Sequence, residues 1–160
     1  MSSFEKDRSR IIERKNEVYG KKEELKEKIS EFDKHRAAVE EGISKIPKDL
    51  PQELQEQVDM AVENVRAELK GEADEIGKEA DTVKEFADKA MDEADTIKGD
   101  LNKKAEKMMV LKDIPLVGSF AEKNAEKLSG YADQMADLRQ ETQKYQDELI
   151  QERNKLYQNR

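Results

Sequence analysis

Apolar residues recur every seven positions along the first quarter of the chain. The stripe consists of Phe4, Ile11, Val18, Leu25, Phe32, Val39 and Ile46. Because seven residues make close to two turns of an α-helix, these side chains share one narrow face of a single helix. Such a face is stable only when another helix covers it, so the pattern predicts helix–helix packing.

Two segments that contain proline predict where the chain turns. Pro47 and Pro51 enclose the first segment, and Pro115 lies in the second. Proline ends a helix or begins one, since it lacks the backbone N–H that the helix interior requires. The predicted helices therefore span about residues 3–46, 52–112 and 119–157. A break of the long middle helix near Gly71 would add a fourth helix.

The middle helix carries a second heptad repeat, which is built on alanine. Its narrow stripe contains Ala73, Ala80, Ala87 and Ala94, and the third helix continues the pattern from Ala121 to Leu156. Small side chains let two helix backbones approach closely, so bulky stripes fit opposite small ones.

The sequence predicts an all-α fold with one domain over residues 1–160. The domain is folded as an elongated antiparallel bundle of three or four long helices with coiled-coil-like heptad packing. Pairing of the same stripes between copies, giving a homo-oligomer, is the alternative.

The composition agrees with a thin seam between helices and not with a thick core. Of 160 residues, 42% are charged, 35% are hydrophobic and 5% are aromatic. High charge is also typical of disorder, but a disordered segment has no reason to keep a heptad phase. The N-terminal residues lack the apolar region of a signal peptide, and no apolar run is long enough to span a membrane. We therefore expect a cytoplasmic protein, or one exported without a signal peptide.

The residue types that carry chemistry are few. The chain has no cysteine, which excludes disulfides, thiolate metal sites and thiol catalysis. His35 is the single histidine and is flanked by charged residues, whereas a di-metal site in a helical bundle uses two Glu-x-x-His motifs. No phosphate-binding glycine loop or nucleophile motif is present. The sequence predicts no catalytic, cofactor or metal site, and a protein that is not an enzyme.

Acidic residues concentrate in the middle helix. Residues 48–112 carry a net charge of −7 out of −8 for the chain. Such a surface repels phosphates, which argues against nucleic-acid binding. Its exposed acids, with Glu75, Glu79 and Glu85 as candidates, either face water or form a docking surface for a basic protein partner.

The least polar stretch of the chain is residues 108–120, which we call the apolar turn. One interpretation is an inter-helix connection that folds back and caps the bundle. The other is an exposed tip whose residues Ile114, Leu116, Val117 and Phe120 contact a protein or a bilayer. The stretch is too short and too interrupted to span a membrane as one helix.

In general character the chain resembles the small helical partner proteins of type VII secretion. A Leu-x-Gly tripeptide, Leu69-Lys70-Gly71, lies in the middle helix. The resemblance implies a helical hairpin without a signal peptide that acts as a secretion partner or chaperone.

Taken together, the sequence predicts a helical binding or scaffolding module that recognises another protein through helix surfaces or the apolar turn. The alternatives are a secretion partner or chaperone of the type VII kind, and a membrane-active helical hairpin that inserts residues 108–120.

Overall fold

Three α-helices make up the fold. The structure, a computed structural model, describes residues 2–158. The helices are α1 (Ser3–Ser44), α2 (Gln52–Met109) and α3 (Gly118–Lys155). Between residues 2 and 158 the chain forms no strand. The prediction of an all-α fold with helix–helix packing is therefore confirmed.

The helix ends follow from local sequence. The Ser2 hydroxyl accepts a hydrogen bond of 3.1 Å from the backbone N–H of Glu5, which satisfies one of the free donors at the start of α1. After α1 ends at Ser44, Pro47 prevents the helix from continuing. Pro51 immediately precedes α2, and its carbonyl accepts a bond of 2.9 Å from the Gln55 N–H.

The α2 helix runs unbroken through Gly71, so the alternative of a fourth helix is not supported. The physical reason is burial on both sides of the glycine. Leu69 is 6% exposed and Ala73 is 2% exposed, so their packing holds this part of the helix in place. The cost of one helical glycine, about 1 kcal/mol relative to alanine, is smaller than the stabilisation from that packing.

The chain divides into two compact units, each with its own core. The first unit comprises Met1–Lys21 and Val83–Asp147. Its hydrophobic core clusters draw on all three helices and contain Ile11, Val18, Ala87, Met91, Ala94, Leu101, Ala132, Met135 and Leu138. The second unit comprises Lys22–Thr82 and Glu148–Arg160. Its core consists of Ile29, Phe32, Leu69, Ala73 and Leu156.

The stripes that the sequence predicts are the buried faces of the helices. In the stripe of α1, Ile11 and Val18 are completely buried, whereas Phe4 and Val39 are half-buried. The last residue of the predicted stripe, Ile46, lies beyond the end of α1 and is also half-buried. The alanines of the α2 stripe, Ala73, Ala80, Ala87 and Ala94, are all buried. Small residues in these positions allow the close helix contacts on which both cores depend.

Among residues 2–158, the buried polar side chains Lys22, Thr142 and Gln146 are each hydrogen-bonded inside one unit. In the first unit, the Gln146 side-chain amide donates to the Lys84 carbonyl at 2.9 Å and also to Asp88. In the second unit, Lys22 donates to Glu148. Burial of the Lys22 ammonium disfavours its charge, but hydrogen bonds with Glu148 and Glu23 outweigh this effect and raise the pKa of Lys22.

Candidate functional site: the apolar turn

The apolar turn is shaped by its own backbone hydrogen bonds. It includes the last residues of α2, the connection 110–117 and the start of α3. The Ile114 N–H donates to the Leu111 carbonyl at 3.1 Å, and the Gly118 N–H donates to the Ile114 carbonyl at 2.8 Å. Successive tight turns therefore replace the helix, and they satisfy backbone groups that a change of direction would otherwise leave free.

Gly118 makes this path possible. It is buried, and a Cβ atom added there would lie only 2.0 Å from the Lys112 carbonyl oxygen. Real Cβ atoms never come this close to a backbone oxygen, so any other residue would force the two backbone segments apart. The glycine is therefore required by the close approach of the turn to the start of α3.

The large side chains of the turn point into solvent. Leu116 is fully exposed, Val110 is 78% exposed and Phe120 is 64% exposed. Ile114 and Val117 are also exposed. These side chains are therefore not packed as a cap on the helices.

Leu116 has an unusual backbone conformation. Its φ angle is 75°, and it is the single non-glycine residue with positive φ in the described part of the chain. For a residue with a Cβ atom, the left-handed conformation costs about 1–2 kcal/mol. Glycine or asparagine would fit more easily here, and leucine gains no burial in return. Neither backbone conformation nor packing accounts for a leucine in this position.

The second set of candidate residues, Glu75, Glu79 and Glu85, is exposed. Glu75 and Glu79 belong to the second unit, whereas Glu85 belongs to the first. Glu79 accepts a hydrogen bond of 2.9 Å from Lys28, and this bond raises the pKa of Lys28. One of the three acids is therefore already engaged within the chain.

Within the described residues, four acids of α2 form ion pairs with cations of the other two helices: Glu79, Asp81, Glu93 and Asp95. In the first unit, Glu93 forms ion pairs with Arg10 and Arg14. In the second unit, Asp81 pairs with Arg153 at 2.8 Å. Exposed pairs contribute about 0–1 kcal/mol each. Sequence analysis missed these pairings, which engage four of the acids of α2 within the chain.

A groove of about 710 Å³ in the second unit was not predicted. Its apolar lining includes Phe32, Leu69 and Leu156. At its rim, Arg66 donates to both carboxylate oxygens of Glu40, and this bond holds the pKa of the Glu40 carboxyl below its usual value. The charged groups at the rim thus bind each other, and the arrangement suggests no chemistry.

Other kinds of site find little support in residues 2–158. His35 is exposed. Within these residues, no group of three or more His, Cys, Asp or Glu side chains is arranged to hold a metal ion. Nor does any described helix have the length and apolar character needed to cross a membrane. Compared with protein-family models, curated proteins and solved structures, the chain matches none of them.

Proposed function

We propose that the chain is a non-enzymatic binding module whose contact surface is the apolar turn. The observation that carries the proposal is Leu116, which is fully exposed in a left-handed conformation. A residue that costs backbone energy and gains no burial is better explained by contact with something outside the chain than by folding. Val110 and Phe120 extend the exposed apolar surface around it.

The helices act in this proposal as a support that holds the turn. We propose that they pack as an antiparallel bundle with coiled-coil-like seams. In support, ion pairs of the second unit run in opposite directions along α1 and α2: Lys28 pairs with Glu79, and Glu40 pairs with Arg66. Among residues 2–158, most of the exposed large apolar side chains lie in the apolar turn, whereas the core residues of the helices are buried.

The experiment is contact mapping in cells. A photoreactive amino acid is placed at position 116 and, in a control, at the exposed position of Asp133 in the same unit. We expect crosslinked adducts, to protein or to lipid, from position 116 and few from position 133. Equal and low crosslinking at both positions would contradict the proposal.

A protein partner is the form of this function that the sequence predicts. A secretion partner or chaperone would use the same surface, because it too would bind through exposed apolar side chains. Identification of the adduct formed at position 116 by mass spectrometry separates a protein from a lipid.

A further inference from the structure

The apolar turn lies within a locally basic stretch of an acidic protein. Residues 102–128 contain six lysines and four acids, a net charge of +2, whereas the whole chain carries −8. We call these lysines the lysine collar. Its members are Lys103, Lys104, Lys107, Lys112, Lys123 and Lys127. The rest of the chain therefore carries a net charge of −10.

The lysine collar is free to contact an external surface. All six side chains are exposed, and none forms an ion pair within residues 2–158. Lys15 and Lys22, which lie against another helix, are each paired with a glutamate of α3. The four acids of the stretch, Glu106, Asp113, Glu122 and Glu126, are also exposed, so the stretch keeps its net charge of +2.

The exposed apolar side chains lie in the turn between α2 and α3, and five of the six lysines lie in the helical residues that flank it, whereas Lys112 lies in the turn itself. At a rise of 1.5 Å per residue, the helical lysines are within about 15 Å of the turn along α2 and α3. At a membrane surface, apolar groups enter the boundary of the acyl chains while lysines bind the lipid phosphates. This order of apolar tip and basic collar matches the order of layers in an anionic bilayer.

We infer that the apolar turn docks onto the surface of an anionic lipid bilayer. The inference rests on the proposed function, because it names the partner of the same surface. Leu116, Val117 and Phe120 would enter the boundary region, and the lysine collar would bind the headgroup phosphates. The insertion is shallow, since no described helix can cross a membrane. The net charge of −10 on the remaining residues favours the orientation in which the turn meets the lipid.

The test is flotation of the full chain with vesicles. Two compositions are compared: phosphatidylcholine alone, and phosphatidylcholine mixed with phosphatidylserine. We expect partitioning onto the serine-containing vesicles to be on the order of tenfold stronger, and to weaken as salt rises. Equal partitioning onto both compositions, or none onto either, would overturn the inference.

Two sets of variants separate the apolar and the electrostatic contributions. Leu116→Asn removes the apolar tip side chain in a conformation that asparagine tolerates, so the protein stays folded, and we expect severalfold weaker flotation. Changing Lys103, Lys104 and Lys107 to Gln should abolish the preference for serine-containing vesicles. The matched control changes Lys6, Lys21 and Lys26 to Gln, which removes the same charge from exposed, unpaired positions of α1. If the two triple-lysine variants lose the preference for serine-containing vesicles to the same extent, the lysine collar has no particular role.

The two proposals fail in different ways. If vesicles are not bound but position 116 forms adducts with a protein, the bilayer inference is wrong and the binding-module proposal stands. If neither vesicles nor adducts are found, both are wrong. Far-ultraviolet circular dichroism of each variant confirms that the helices are intact before binding is compared.

Discussion

The stripe of α1 and the apolar turn contain similar side chains in opposite surroundings. Ile11 and Val18 are completely buried, whereas Leu116 and Phe120 are exposed. The stripe lies on one continuous helix, so a single covering face can bury all its residues. The turn surrounds a proline and a glycine, where no regular helix aligns the side chains. Periodic apolar residues in this chain therefore serve packing, and clustered ones are available for contact.

The connection between α1 and α2 sharpens this contrast. Like the apolar turn, it contains proline and two branched apolar residues, Ile46 and Leu50. Both are half-buried, whereas the corresponding side chains of the apolar turn are exposed. A connection in this protein can thus cover its apolar residues, and the exposure of Leu116 is particular to the apolar turn.

The largest expected effect comes from a charge placed in the stripe. Leu25 is 3% exposed, and we expect Leu25→Asp to lower the free energy of unfolding by about 4 kcal/mol, because an unpaired carboxylate replaces a packed side chain. The control is Lys26→Asp at the exposed neighbouring position. Urea denaturation measures both. If both substitutions lower the free energy of unfolding by the same amount, the stripe is not a buried seam.

The second prediction concerns the close backbone approach at Gly118 in the apolar turn. In Gly118→Ala, the new Cβ would meet the Lys112 carbonyl oxygen, and we expect a loss of about 2 kcal/mol as the backbone shifts. Gly99 lies in α2 with nothing within 4 Å of an added Cβ. Gly99→Ala should instead stabilise the protein by up to about 1 kcal/mol. Thermal unfolding compares the two variants. If Gly118→Ala leaves the unfolding temperature unchanged, the turn does not depend on the close approach of the Lys112 carbonyl to Gly118.

A third substitution set asks whether the turn contributes to folding. Changing Leu116, Val117 and Phe120 together to Ser should alter the free energy of unfolding by less than about 1 kcal/mol, since exposed side chains lose little burial. Chemical denaturation measures the change. A loss of several kcal/mol would mean that these residues cap the packed helices after all, and the contrast with the stripe would disappear.

A smaller effect of opposite sign is expected at Leu116 itself. Asparagine tolerates positive φ better than leucine, so Leu116→Asn should raise the free energy of unfolding by about 0.5 kcal/mol. A sensitive thermal scan against the wild type detects this gain. Any clear destabilisation would show that the leucine side chain makes contacts that support the fold.

The last prediction concerns alkaline pH. The pKa of Lys22 is raised in the folded protein, so the unfolded chain loses this proton first as pH rises. The stabilisation from Lys22 is complete below its unfolded pKa of about 10.5 and is lost as pH rises through the folded value. In denaturation experiments between pH 9 and 12, the free energy of unfolding should decline more steeply with pH for the wild type than for Lys22→Met. Identical profiles would mean that the buried ion pair does not contribute.

Helix positions and buried faces could be predicted because their causes are local. Heptad spacing places Val18 on the covered side of α1, and Pro47 limits that helix, whatever the rest of the chain does. The continuity of α2 through Gly71 could not be predicted in this way. It depends on the burial of Leu69 and Ala73, and their covering residues come from distant parts of the sequence.

The candidate site shows the same division. The sequence by itself determined that an apolar segment around Pro115 and Gly118 would separate two helices. Only the tertiary structure decided that Leu116 is exposed with a positive φ, and that Glu79 is bound to Lys28. The physical reason is that residue spacing determines which side chains share a helix face, whereas exposure and ion pairing depend on which distant segments come within contact distance.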